Sequence, residues 1–213
     1  MVADVVDKLE VTSSVDVVEI GCGTGVLAVP LAGAARSFVG VDFSAEALDA
    51  LRQKLHREGL VERTELVELD VLHAPADAVR ALGSFDRVLV YATLHYVSDD
   101  AELERFLDRA VGLLGPAGIA LFGSLPIADA PVARRRLAGS AYRIWRRVGQ
   151  RVRRRSARPS PALPPGTTVE LTVAKVERWL AGRPDLQATW LAPRVGTPMF
   201  SRRADLVVRR RPG

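Results

Sequence analysis

From Val15 onward, short apolar runs alternate with segments whose apolar residues recur every three to four positions. This is the pattern of an α/β domain built on a parallel sheet. VDVVEI (15–20) predicts the first strand and breaks at the glycine cluster 21–25. A helix is predicted over about 26–35, then a second strand, SFVGVDF (37–43). Ser44 suits the N-cap of a helix whose Leu48, Leu51 and Leu55 share one stripe and which Gly59 ends. TELVELD (64–70) predicts the third strand, a short helix follows around 76–82, and FDRVLVYA (85–92) predicts the fourth strand. Ser98-Asp99-Asp100 then opens another helix, with a capping hydroxyl and two carboxylates in the first turn. Leu103, Phe106, Leu107, Ala110, Val111 and Leu114 form its apolar face, Gly115-Pro116 stops it, and GIALFGSL (118–125) predicts the fifth strand.

The regular alternation breaks at Pro126. Within 131–155, Leu137, Ala141, Ile144, Trp145, Val148 and Val152 fall at helical spacing with arginines over the other face, which predicts an amphipathic basic helix. PSPALPPG (159–166) predicts an extended loop. A helix at about 169–181, ending before Gly182, a strand around 188–192 and a last strand, ADLVVRR (204–210), complete the chain. The expected organisation is one α/β domain over 1–213. An arginine-rich arm, 126–168, is inserted between the fifth strand and the C-terminal helix-strand pair. Ligands are expected beyond the carboxyl ends of the strands.

A length of 213 residues suits such a domain, and 48% hydrophobic with 26% charged residues excludes wholesale disorder. No run approaches the roughly 18 uninterrupted apolar residues of a membrane span. MVADVVDKLE carries acids where a signal peptide has its basic and apolar regions, and Cys22 has no second cysteine to pair with. Both features lead to the expectation of a cytoplasmic protein. The net charge of +5 is unevenly placed: 11 arginines and no acid lie between positions 130 and 169, and the rest of the chain is net acidic.

The candidate chemistry begins at Glu19-Ile20-Gly21-Cys22-Gly23-Thr24-Gly25, between a predicted strand and a predicted helix. Glycines there allow a sharp turn and close approach to a ligand. A carboxylate at Glu19 suits an ammonium or sulfonium charge and is poorly suited to a pyrophosphate. A dinucleotide fingerprint would place its third glycine at position 26, which is valine. Asp42 ends the second predicted strand, where it can accept the hydroxyls of a ribose; Asp70 ends the third, where it can accept an adenine amine. Each acid alone is as readily a cap or turn residue. Three acids and a glycine loop on successive strand ends point to a site.

As a set these segments resemble the class I S-adenosylmethionine-dependent methyltransferases. VVEIGCGTG (17–25) is similar to their first motif. VGVDFSAEAL (39–48), Asp70-Val71, FDRVLVYATLHYV (85–97) and LLGPAGIALF (113–122) follow in the family's order. The resemblance covers roughly 15–125 and implies a Rossmann-like, doubly wound sheet of seven strands whose last strand, here ADLVVRR, is antiparallel. It implies S-adenosyl-L-methionine as cofactor, with S-adenosyl-L-homocysteine as product. Glu19, Gly21, Cys22, Gly23 and Gly25 would hold the methionine part, Asp42 with Phe43 the ribose side, and Asp70 with Val71 the adenine.

The acceptor of such a family member lies beyond the fourth strand, where this chain offers Tyr91, His95 and Tyr96. His95 is the candidate general base, since an imidazole titrates near operating pH; a packing histidine is the plainer alternative. His56 on the polar side of a helix and His73 in a loop read as unremarkable, Cys22 as a small loop filler, and no metal site is expected. The fourth strand lacks the Asn/Asp-Pro-Pro-aromatic ending of adenine and glutamine N-methylating relatives. There is no paired-glutamate loop of protein arginine methyltransferases and no Pro-Cys of cytosine C5 enzymes. These absences favour a small-molecule acceptor.

The arm admits four readings. As a lid, Tyr142 and Trp145 would cover the acceptor while Arg153, Arg154 and Arg155 bind phosphate, implying an anionic acceptor such as a nucleotide-linked or lipid-linked sugar. LFGSLPIADA (121–130) and FSRRADLVVRR (200–210) look like segments of methyltransferases found with surface-polysaccharide biosynthesis. The others are a packing or homodimer element, peripheral membrane contact, and nucleic-acid binding. The last is weakened because the aromatics sit on the apolar side rather than between the basic residues. About 14 residues precede the first predicted strand, where relatives often carry a further covering helix, so the pocket is expected open or completed by another subunit. A non-catalytic cofactor- or partner-binding protein on the same fold is the competing class.

Overall fold

The structure is a computed structural model that describes residues 1–94, 97–127, 171–192 and 203–211. Its elements run α1 (Val2–Leu9), β1 (Asp16–Ile20), α2 (Ala28–Ala34), β2 (Ser37–Asp42), α3 (Ala45–Arg57), a 3-10 turn (Val61–Arg63), β3 (Thr64–Glu68), α4 (Ala76–Arg80), β4 (Phe85–Tyr91), α5 (Asp100–Gly112), β5 (Leu114–Pro126), α6 (Val173–Ala181), β6 (Leu186–Leu191) and β7 (Arg203–Arg210). The strands form one sheet in the order β3-β2-β1-β4-β5-β7-β6. Only β7 runs against its neighbours, pairing antiparallel with both β5 and β6. The expected seven-stranded, doubly wound architecture with an antiparallel last strand is present.

The near-continuous apolar runs of the central strands follow from burial on both faces. Successive residues point to opposite sides, so Val17, Leu89, Leu121 and Val207 pack toward α1, α2 and α3. Val18, Val88, Val90, Phe122, Leu206 and Val208 pack toward α5 and α6. The α3 stripe of Leu48, Leu51 and Leu55 is buried as read, and the Ser44 hydroxyl accepts from the Ala47 N–H at 3.2 Å to cap it. Trp179 of α6 is 2% exposed; its Nε1 donates to Asp108 of α5 at 2.8 Å, and the Arg183 guanidinium lies 4.7 Å from its ring centroid. Truncating such a buried indole costs about 3–5 kcal/mol.

Several boundaries differ from the sequence reading. The chain opens with α1, which was not foreseen; Val2, Val5, Val6 and Leu9 face the core at helical spacing. The cap of α5 is Asp99, not Ser98: its carboxylate accepts from the Glu102 N–H at 2.8 Å, while Glu102 reaches back to the Ser98 N–H and hydroxyl at 2.9 and 2.6 Å. α5 ends at Gly112, and Gly115-Pro116 belong to β5, which starts early at Leu114 across a register shift with Ala117 at φ 56°. β3 stops at Glu68, so Asp70 lies in the following turn rather than on the strand. Of the arm, Pro126 ends β5 and Ile127 pairs with Leu171 in a parallel bridge. The expected basic helix, the proline-rich loop and the first residues of the expected 169–181 helix lie outside the described residues.

Candidate functional site

The glycine loop turns under the carboxyl ends of β1 and β2. The Gly21 and Cys22 N–H groups both donate to the Val41 carbonyl, at 2.7 and 3.1 Å. Gly21 sits at φ 77°, and a Cβ on it would fall 2.5 Å from Thr93 Oγ1, so the close approach of β1 and β4 ends requires glycine there. Gly23, at φ 51°, has no atom within 4 Å of where a Cβ would stand and faces open space. Its N–H donates to Asp42 Oδ2 at 2.7 Å, and the Ser44 N–H donates to Asp42 Oδ1 at 3.0 Å. These two bonds fix a carboxylate that is only 8% exposed, leaving each oxygen a lone pair for a ligand.

Beside the loop lies a cavity of about 220 Å³ at the strand ends. Gly21, Asp42, Phe43, Asp70 and Val71, drawn from three separate sequence segments, line it together. Leu69, Leu72, Val97 and Phe106 supply apolar walls, and Phe43 is 62% exposed. Glu19, Cys22, Gly23 and Gly25 do not line the cavity itself. Glu19 is buried behind the loop, and its Oε2 has no hydrogen-bond partner. Burial, and secondarily the charge of Asp42, drives its pKa well above the ordinary carboxyl range. A cation brought to this end of the site would offset both effects. Cys22 is inert: burial and the Glu19 and Asp42 charges push its thiol far up.

Asp70 is held by its own turn. Its Oδ1 accepts from the Leu72 and His73 N–H groups at 3.0 and 3.2 Å, and its Oδ2 is paired with His73 Nδ1 at 2.8 Å. Burial opposes ionisation of Asp70, but the hydrogen bonds and charge of His73 outweigh it and keep the carboxyl below its ordinary value. His73, read from the sequence as an unremarkable loop residue, lines the cavity, and the hydrogen bond to Asp70 raises its own pKa. Thr93 was also missed; its hydroxyl bonds the Tyr91 carbonyl at 3.2 Å and backs Gly21.

Tyr91 is at the end of β4 but outside this cavity's lining. Its ring lies over Gly123, where a Cβ would come within 2.3 Å of it. Burial, then the charges of Asp205 and Asp4, raise the phenol's pKa, against a hydrogen bond with Ser124. It is a protonated hydroxyl at neutral pH, a donor and not a base. His95, Tyr96, Tyr142, Trp145, Arg153, Arg154 and Arg155 lie outside the described residues. Among the described residues no group of three or more His, Cys, Asp or Glu could hold a metal, and no helix is long and apolar enough to cross a membrane.

The carboxylate acceptors Glu19, Asp42 and Asp70 suit a ligand with a cationic end, a diol and an amino-bearing planar base. Residues 17–118 match the family described as Methyltransferase domain. The chain is 34% identical over 110 residues to a ubiquinone biosynthesis O-methyltransferase of Dinoroseobacter shibae, covering 51% of this chain and 40% of that one. It is also 34% identical over 90 residues to the 23S rRNA (uracil(1939)-C(5))-methyltransferase RlmD of Bordetella pertussis, covering 42% and 19%. The chain thus spans less than half the length of these curated relatives. The fold is shared with the N-methyltransferase NodS of Bradyrhizobium japonicum WM9 at TM-score 0.63, 18% identity and coverage of 99% of this chain and 94% of that one. Motif order, strand order and the family match agree on a methyltransferase domain over residues 17–118, set on the fold that NodS shares.

Proposed function

We propose that the protein binds S-adenosylmethionine and directs its methyl group to a small-molecule acceptor, a hydroxyl of a sugar-like or phosphate-bearing compound. The observation that carries the cofactor half is the cavity that Gly21, Asp42, Phe43, Asp70 and Val71 share, with Glu19 buried behind it and its Oε2 unpartnered. When bound, the cofactor supplies an electrophilic methyl on a sulfonium. Glu19 lies at the end suited to that positive charge and the neighbouring ammonium. Asp42, pinned by the Gly23 and Ser44 amides, is preorganised to accept the ribose hydroxyls. Asp70 accepts the adenine amine, and Phe43, Val71, Val97 and Phe106 exclude water from the base.

Methyl transfer of this kind is an in-line displacement, so alignment of the acceptor is the chain's main contribution, an effect worth about 7–11 kcal/mol. His95 is the residue assigned to take the acceptor's proton, with Tyr96 beside it. Tyr91, as a protonated phenol, donates a hydrogen bond. The arm is assigned as a lid, with Tyr142 and Trp145 over the acceptor and Arg153, Arg154 and Arg155 on its phosphate. The Ile127–Leu171 bridge supports this, because it sets the start of the arm, just beyond β5, beside Leu171, the third residue after the arm. An RNA acceptor is the second reading, favoured by the 11 arginines of the arm and by the similarity to a protein named for 23S rRNA.

Calorimetric titration with S-adenosylhomocysteine, with NAD as control, tests the cofactor assignment. Micromolar binding by wild type, weakened at least tenfold in Asp42→Ala, is expected. A folded wild type that fails to bind removes the reading. Labelled methyl transfer to nucleotide-sugars, with ribosomal RNA in parallel, then separates the acceptors; incorporation into RNA alone overturns the small-molecule half.

A further inference from the structure

His73 stands between two carboxylates from different parts of the fold. Its Nδ1 lies 2.8 Å from Asp70 Oδ2, in the turn after β3, and its Nε2 lies 3.5 Å from Glu102 Oε1, in the first turn of α5. Glu102 is itself held by the Ser98 N–H and hydroxyl, and only 17% of its side chain is exposed. Arg109, one helical stretch further along α5, donates to the Val71 and Leu72 carbonyls on the other side of the same turn. The turn that carries Asp70 is therefore fastened to α5 at both ends.

The two oxygens of Asp70 are not equivalent. Oδ1 is taken by the backbone amides of Leu72 and His73, so Oδ2 is the atom left for a ligand, and His73 is the side chain that orients it. We propose that His73, braced by Glu102, is a positioning and specificity residue of the cofactor cleft: it aims Asp70 Oδ2 so that the site accepts a base with an amino donor at its six-position and rejects one with an oxo group there. This rests on the S-adenosylmethionine reading and adds to it a residue pair that the glycine and acid motifs do not include. The chemistry is that of a fixed acceptor. A carboxylate oxygen held in place by one donor on one side pairs with an amine on the other, and repels a carbonyl oxygen that cannot be accommodated by rotation. Released from His73, the carboxylate turns away and the penalty against the oxo base falls.

The test is calorimetric titration of S-adenosylhomocysteine and S-inosylhomocysteine into wild type, His73→Ala, His73→Asn and Glu102→Gln, with thermal melts to show that each is folded. His73→Ala is expected to lose about threefold to tenfold in affinity for the adenine ligand, the consequence of one hydrogen bond, and to lose much less for the inosine ligand. The ratio between the two ligands therefore shrinks. His73→Asn keeps a donor near the Nδ1 position and is expected to restore most of that ratio, while Glu102→Gln gives an intermediate value. Equal losses for both ligands, or no loss, overturn the proposal while leaving the cofactor reading intact. A wild type that binds neither ligand overturns both.

Discussion

Lys8 Nζ of α1 lies 2.5 Å from Asp205 Oδ2 of β7, joining the first helix to the last strand across 197 positions. Both side chains are almost wholly buried, and the same ammonium also donates to Asp4 Oδ2 at 2.7 Å. The other oxygen of Asp205 accepts from the Ser124 N–H at 2.7 Å, where Ser124 sits at φ 59° in β5. α1 is thus latched to the carboxyl end of β5 by charge as well as by Val5 and Leu9. Neither element falls within the stretch that matches the family.

Removing one partner of a buried pair is far more costly than never having had it. Lys8→Met takes the ammonium from between two buried carboxylates and is expected to cost about 3–5 kcal/mol, a fall in Tm of roughly 6–20 °C. Asp205→Asn keeps an acceptor for Ser124 and is expected to cost less. A double-mutant cycle by urea denaturation measures the coupling; additive losses would contradict the latch.

Glu19 sets stability against binding. Its folded pKa is raised, so as pH rises through that value the buried carboxyl must ionise at a cost the unfolded chain does not bear. Its contribution is favourable below the unfolded pKa and is lost above the folded one. Glu19→Gln is therefore expected to raise the Tm of the ligand-free protein at neutral pH by roughly 2–4 °C, about 1 kcal/mol. The same change should weaken S-adenosylhomocysteine binding. A variant both less stable and unchanged in affinity would show that Glu19 is only a packing group.

The sheet was legible because strands buried on both faces leave uninterrupted apolar runs, and the acids at 42 and 70 because they sit where such runs end. α1 was not. Nothing local marks its charged Asp4 and Lys8 for burial, because Asp205, which pairs with Lys8, lies 197 positions away. His73 was passed over for a similar reason. A lone loop histidine carries no signal by itself, and Glu102, which with Asp70 gives it a role, lies on the next long helix. The early start of β5 was hidden by Gly115-Pro116, which ordinarily ends a helix and here sits in a bulged strand entry. The spacing Asp70-x-x-His73 and the Ser98/Glu102 pair are signals that could have suggested the brace.

The three loop glycines are not equivalent. Gly23→Ala meets no neighbour and bears only the left-handed backbone cost, about 1–2 kcal/mol. Gly21→Ala adds a collision with Thr93 and is expected to cost about 2–5 kcal/mol. In a Thr93→Ala background the excess should largely disappear, since the nearest atom, Oγ1, is gone. Equal losses at 21 and 23 in denaturant melts would contradict the contact.

His73 offers a direct reading of the brace in the ligand-free protein. Asp70 and Glu102 both favour the imidazolium, and the Arg109 guanidinium on α5 is engaged with the Val71 and Leu72 carbonyls of the same turn. The hydrogen bond to Asp70 is the largest influence, so His73 is expected to titrate above the ordinary histidine value, and Asp70→Asn should bring it down further than Glu102→Gln does. A raised pKa means that the stability contributed by the brace is fully present below the unfolded value and is lost as pH rises through the folded one. The preference for the adenine over the inosine ligand is expected to fall across that same interval. With only three histidines in the chain, an NMR titration with His73→Asn as the assignment control resolves the resonance. A titration at or below the free-histidine value, unmoved by Asp70→Asn, would mean that the imidazole is solvated and that Asp70 is oriented by its turn alone.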